Sequence, residues 1–104
     1  MVKQKLHIII WDSIALEQFK DILDFLSKQS SQAHNIVKEG ILSRIDDIKK
    51  NAFIFEIDQL RDNPNKEFRA FVIYNYRITY QIKEASKEIR ILRIRHTSRE
   101  PFGY

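Results

Sequence analysis

The sequence predicts a single α+β domain over residues 1–104: an N-terminal strand, an antiparallel two-helix hairpin, then a three-stranded antiparallel meander, with the helices packed on one face of a single sheet. Three observations predict it. An apolar run fills residues 6–11, two apolar stripes at helical spacing fill residues 13–50, and three runs of two-residue periodicity, separated by turn residues, fill residues 68–96. A chain of 104 residues with seven Phe, four Tyr and one Trp can build one core and has no room for a second domain.

Leu6, Ile8 and Ile10 alternate with His7, Ile9 and Trp11, so residues 5–11 read as a strand with apolar groups on both faces, which places it inside the sheet. Asp12 or Ser13 can accept the first free helical N–H groups, and Leu16, Phe19, Ile22, Leu23 and Leu26 recur at helical spacing, giving a first helix over residues 13–28. Lys28-Gln29-Ser30-Ser31 breaks the period, and Ser30 or Ser31 can cap again. Ala33, Val37, Ile41, Ile45 and Ile48 then make a second stripe that carries a helix to Lys50. The connection between the two is short enough to force a hairpin. Gly40 falls in the second stripe and reads either as a close contact with the first helix or as a tolerated glycine. Residues 51–67 form a connector anchored by Phe53, Ile54, Phe55 and Ile57, with Asn63-Pro64-Asn65 as a turn.

The meander reads as Phe68–Ile73, Arg77–Lys83 and Glu88–His96, with turns around Asn75 and over residues 84–87. Burying the even residues Ala70, Val72, Ile78, Tyr80 and Ile82 points Arg69 and Arg77 outward together, provided that the loop around Asn75 has an odd number of residues; a two-residue turn would separate them. On the last strand Leu92 and Ile94 fit the core, leaving Arg93 and Arg95 on the opposite face. His96 follows the core parity, so the chain must bend there for the imidazole to join the arginines.

Charge is divided unevenly. Residues 1–65 hold nine Lys/Arg against ten Asp/Glu, whereas residues 66–104 hold nine against four. A basic C-terminal half suits nucleic acid, an acidic protein segment or an anionic surface, and charge alone does not choose among them. With no cysteine, stability rests on packing, without disulfides or thiolate metal sites. The apolar run at 6–11 is too short for a signal segment or a membrane span, which places the chain in the cytoplasm with no membrane partner. His7 and His34 have no neighbouring ligand at metal spacing and read as structural, as Trp11 reads as core. Neither a metal nor a cofactor is expected.

Three segments, Trp11-Asp12-Ser13-Ile14-Ala15, Tyr76-Arg77-Ile78-Thr79-Tyr80 and Ile91-Leu92-Arg93-Ile94-Arg95-His96-Thr97-Ser98-Arg99-Glu100-Pro101, occur in an order and at a chain length that resembles the RelE/ParE superfamily of toxins from type II toxin–antitoxin (plasmid stabilisation) systems. The resemblance implies a small toxin that arrests growth until a cognate antitoxin wraps it, as a possible homodimer or toxin–antitoxin hetero-oligomer. It leaves two targets open. In the RelE-like branch, a ribosome-dependent endoribonuclease cleaves mRNA by attack of a 2′-hydroxyl on its own phosphate, which needs a base, an acid and cations around the phosphorane. By position Arg77 matches that branch's middle-strand catalytic arginine, Arg69 a basic residue of the preceding strand, and Arg99 the basic residue after the last strand. His96 would serve as base or acid, Tyr104 would stack on a base or orient the hydroxyl, and Arg93 and Arg95 would bind substrate. Phe71 stands where the RNA-cleaving members often carry a second basic residue. In the ParE-like branch the toxin inhibits DNA gyrase and cuts nothing, and Arg93, Arg95, His96 and Arg99 grip a partner. A third reading is a basic nucleic-acid-binding module without toxin activity, which would bind bare RNA or DNA with strong salt dependence.

Overall fold

A computed structural model describes residues 6–60 and 65–99. Strand β1 (Ile8–Trp11) leads into helices α1 (Ser13–Gln29) and α2 (Ser31–Lys50), and β2 (Phe68–Ile73), β3 (Tyr76–Lys83) and β4 (Glu88–His96) follow the connector. The four strands form one sheet in the order β1-β4-β3-β2, antiparallel within the meander and parallel between β1 and β4. The expected architecture is therefore present, with one correction. Strand β1 lies at the sheet edge, not inside it, because the β1-to-β4 crossover lands on the free side of β4. Its apolar residues on both faces arise differently: Ile9 and Trp11 pack on the core, while Ile8 remains 61% exposed on the other face.

Ser30 is the whole interhelical link. Its backbone N–H donates to Leu26 O, closing α1, and its hydroxyl accepts from Ala33 N at 2.9 Å, opening α2. Ala15 and Phe19 from α1 and Val37, Ile41, Ile45 and Ile48 from α2 bury against Phe71, Ile78, Tyr80, Ile82, Ile89, Ile91 and Ile94 of the sheet. Leu16, expected in the stripe, is 39% exposed, and Ala15 takes the buried position. Trp11 stacks on Phe19 with ring centres 5.2 Å apart, tying the end of β1 to α1. Tyr80 is wholly buried and donates its phenol to Ala52 O at 3.1 Å; burial pushes its pKa well above the ordinary phenol range. The His7 backbone N–H donates to Lys49 O of α2, and its buried imidazole, with Nε2 2.5 Å from Glu84 Oε1, fastens this segment to the turn after β3.

The β2–β3 turn decides which arginines meet. Ile73 pairs with Tyr76, leaving only Tyr74 and Asn75 between them, both at positive φ (52° and 66°), as the tightest hairpins require. Directly opposed residues share a face, so Arg69, opposite Tyr80, lies on the helix face. Arg77, opposite Val72, lies on the outer face. The expected pairing of Arg69 with Arg77 is thus overturned by a two-residue turn. The same register exposes Val72 (53%) and buries Phe71 (6%) in its place.

Gly40 makes its close contact with that turn and not with α1. A Cβ there would sit 2.6 Å from Tyr74 Cε2 and 3.2 Å from Ile73 Cδ1. Replacing a mid-helix glycine by alanine is worth about 1 kcal/mol in propensity, and the clash opposes that gain. Gly40→Ala is expected to stabilise the Tyr74→Ala variant by about 1 kcal/mol in urea unfolding and the wild type by clearly less. Equal gains in both backgrounds would show that the ring does not press on the helix.

Candidate functional site

Strand β4 should alternate, yet its apolar residues fall at 89, 91, 92 and 94. The structure resolves the conflict with a β-bulge: Thr79 pairs with Arg93 and Tyr80 with Ile91, so Leu92 is the extra residue. One inserted residue reverses the parity. Ile89 and Ile91 face the core before it and Ile94 after it, and Arg90, Arg93 and Arg95 therefore all face outward. Arg77, cross-strand from Arg95, joins them. The outer face thus carries four arginines on two adjacent central strands. Arg90 was not singled out in the sequence, although the adjacent apolar pair Ile91-Leu92 inside an alternating run is the signal of the bulge that places it there.

Asp12 borders this cluster. Its position is that of the α1 N-cap, but its carboxylate makes no capping bond. It lies instead 4.0 Å from Arg90 Nη1 and 3.7 Å from Arg93 Nη1, with all three side chains about a third exposed. These long, hydrated contacts orient the guanidinium groups with little energy of their own. Arg93 also donates to Leu92 O at 2.6 Å, across the bulge.

Arg77 differs in kind. Its Nη2 lies 2.5 Å from Oδ1 of Asp58, whose side chain is 1% exposed against 17% for Arg77. Asp58 reaches this position because the connector runs along β2: Asp58 N donates to Phe68 O, Ala70 N donates to Glu56 O, and Ile57 bridges Arg69. Alternation from Ile57 turns Asp58 to the outer face, where the small side chain of Ala70 also points. Asp58 Oδ1 further accepts Leu60 N at 3.1 Å, so the carboxylate both closes a connector turn and holds Arg77.

The other expected site residues are dispersed. From the helix face, Arg69 donates to Lys66 O and Phe55 O, each at 3.0 Å, and its guanidinium lies 5.1 Å from the centre of the Phe53 ring. It fastens the connector from that side as Arg77 does from the outer face. His96 pairs with Tyr76 on the helix face, its ring edge-on to the tyrosine at 5.4 Å. Its Nδ1 accepts Ser98 N at 3.2 Å and lies 2.8 Å from Ser98 Oγ. No bend brings the imidazole round to the arginines. Arg99 lies in the short 3₁₀ turn Thr97–Arg99, and Tyr104 lies outside the described residues.

On the helix face, beyond the end of β1, the free edge of β4 is taken by Gln18 of α1, whose Oε1 accepts Ile94 N at 2.8 Å. The space between α1 and the strand ends forms a cleft of about 610 Å³ lined by Gln18, Ile22, Phe25, Tyr76, Ile94 and His96. Arg95, whose register sets it on the outer face, also borders it. Phe25 is 58% exposed there. Among the described residues no helix is long and apolar enough to cross a membrane.

Comparison with known proteins adds three findings. The family model described as the ParE toxin of the type II toxin–antitoxin system parDE matches residues 9–101. Among solved structures, the chromosomal ParDE system of P. aeruginosa is similar at 19% identity, covering 88% of this chain and 96% of that one with a TM-score of 0.66. The RelBE2 complex of Mycobacterium tuberculosis is similar at 16% identity (90% and 94% covered, TM-score 0.59), and the isolated E. coli RelE toxin at 12% identity (90% and 87%, TM-score 0.53). At these identities the structural likeness is one of fold. No curated protein matches the sequence significantly.

Proposed function

The chain belongs to the ParE toxin family of type II toxin–antitoxin systems, and from that premise we propose that it arrests growth by gripping a protein target, DNA gyrase, through its outer arginine face, without cleaving RNA. The observation that carries this reading is the fate of the cations and the imidazole. Cleavage through a phosphorane needs base, acid and free cations within the span of one phosphate. Arg77 is taken up by the buried Asp58, and Arg69 and His96 point to the other side of the sheet. Arg90, Arg93 and Arg95 lie together on the outer face as a row of half-buried guanidinium groups. Such a row suits the multiple, bidentate contacts of a protein interface, where arginine is enriched.

A cognate antitoxin is the second partner in this reading. Among the described residues the outer edge of β1 has no neighbouring strand, and the cleft beside α1 offers exposed Phe25 next to Tyr76 and Ile94. An extended or helical segment of an antitoxin that folds on binding would use either. The protein would then act in the cytoplasm, where both partners reside.

The test uses purified toxin in two assays. Gyrase supercoiling should be inhibited and the cleaved gyrase–DNA complex should accumulate, whereas mRNA in a translating extract should remain intact. Codon-dependent cleavage of ribosome-bound mRNA with gyrase unaffected would reject the proposal in favour of the RelE-like reading.

A further inference from the structure

We propose that Arg90 and Arg93 form a two-pronged receptor for an acidic side chain of the protein partner, with Asp12 as its displaceable internal occupant: a carboxylate that orients both guanidinium groups in the free protein and turns to cap α1 when a partner's carboxylate takes its place. The inference rests on reading the outer face as a gripping surface and names the contact that face makes. Residues an odd number apart on a regular strand point to opposite faces, and Arg90 and Arg93 share one only because Leu92 is inserted between them. The bulge thus brings two guanidinium groups to one carboxylate. Asp12 is tied to the same place by its backbone, since Asp12 N donates to Ile91 O at 2.9 Å. Its two oxygens are divided between the arginines, Oδ1 4.0 Å from Arg90 Nη1 and Oδ2 3.7 Å from Arg93 Nη1.

Both separations exceed the ~2.7–2.9 Å of a direct charge-assisted hydrogen bond. A carboxylate that reaches that distance displaces Asp12 at small cost, because all three side chains are about a third exposed and such pairs are weak. Asp12 has a second seat. It stands at the N-cap of α1 with φ −64° and ψ 144°, the extended backbone of a capping residue, so side-chain rotation alone carries its carboxylate toward the first-turn N–H groups. In the free protein it makes no capping bond, and the first turn of α1 holds no acidic residue. Ser30, at the N-cap of α2, shows the other arrangement, its hydroxyl accepting the N–H of Ala33 three residues on. The equivalent residue in α1 is Ala15, which is 0% exposed, so an acceptor for its N–H is worth more there than at a hydrated helix end.

Two features select a carboxylate on a protein over the phosphates of a nucleic acid. A carboxylate repeats the division of oxygens that Asp12 itself shows between Arg90 and Arg93. Asp12 also keeps its negative charge within a side chain's length of the pair after it has turned away, which opposes a run of successive phosphates more than a single aspartate or glutamate. The device therefore couples recognition to the fold: occupancy of the arginine pair by a partner tightens the start of α1.

Hexaglutamate serves as the probe, titrated at 20 mM KCl into ¹⁵N-labelled wild type, Asp12→Asn and Asp12→Ala, whose amide spectra also report that each is folded. In the wild type the probe should shift the Nε–H signals of Arg90 and Arg93 and move the Ala15 amide proton downfield as it gains an acceptor. Asparagine caps as well as aspartate but carries no charge. In Asp12→Asn the Ala15 proton should therefore lie downfield in the free protein and hold still, while hexaglutamate binds more tightly by up to about fivefold, the worth of an exposed ion pair. Asp12→Ala can neither cap nor compete, so it should bind as tightly as Asp12→Asn with Ala15 upfield throughout. A merely structural Asp12 would leave Ala15 unmoved by the probe and the three affinities alike.

The proposal is overturned if hexaglutamate leaves both arginines unshifted, if they shift while Ala15 stays in place in the wild type, or if Asp12→Asn binds no more tightly than the wild type. A single-stranded RNA decamer that shifts Arg90 and Arg93 where hexaglutamate does not also overturns it, in favour of a phosphate ligand. Gyrase is absent from these titrations, so they can fail while gyrase inhibition holds, and the reverse.

Discussion

Exchanging Asp58 for alanine is expected to destabilise the fold by about 3–5 kcal/mol, because it breaks a buried ion pair whose Arg77 side is only 17% exposed and removes the carboxylate that closes the connector turn to Leu60. The loss should be read from urea unfolding, with the midpoint falling and the slope unchanged. For a domain of this size a loss of that order would lower Tm by more than 10 °C, at roughly 4–8 °C per kcal/mol. The double variant Asp58→Leu/Arg77→Met removes both charges and keeps bulk on each side, so it should recover much of the loss. The connector makes the effect large. Asp58 N pairs with β2, its carboxylate closes the turn to Leu60, and Tyr80 reaches back to Ala52 at the other end of the same segment. If Asp58→Ala unfolds with a midpoint within about 1 kcal/mol of wild type, the pair does not fasten the connector.

The second large effect is functional. Arg90→Gln with Arg93→Gln should abolish growth arrest on induction and raise the toxin concentration needed for half-inhibition of gyrase by about 100-fold, taking each lost charged contact as about 1.4 kcal/mol or more. Stability should change little, within about 1 kcal/mol, since both groups are about a third exposed and their contacts to Asp12 are 3.7–4.0 Å long. Glutamine keeps a polar, unbranched side chain without the charge, so a loss of toxicity at unchanged stability would track the guanidinium groups and not packing. Full toxicity in the double variant would remove the arginine face from the mechanism.

The element order was legible in the sequence because it depends on periodicities that one segment carries by itself. The stripe Val37, Ile41, Ile45, Ile48 could only be one side of a helix, and it is the side that is buried. Ser30 between two stripes could only be a break, and its hydroxyl and amide serve both helices. The alternation of Ile78, Tyr80 and Ile82 likewise marked the core face of β3 directly. The basic C-terminal half and the three segments quoted above pointed to the family that the match over residues 9–101 shows.

The site was less legible, because the face a side chain occupies is a relation between strands. One turn of two residues instead of three sends Arg69 to the helix side, and one extra residue at Leu92 brings Arg90 to the outer side. Both are single-residue choices of register, and in a structure of period two each reverses every side chain beyond it. Position in the sheet was equally non-local. Apolar residues on both sides of β1 suggested a central strand, but what sets its place is the free edge of β4 that the helix hairpin leaves for it. Asp58 could not be foreseen as a partner of Arg77, because the two are nineteen residues apart and meet only when the connector pairs with β2. The chain by itself therefore determined the parts and the family; the tertiary structure decided which cations share a surface, since that depends on strand register and on a buried carboxylate supplied by a loop.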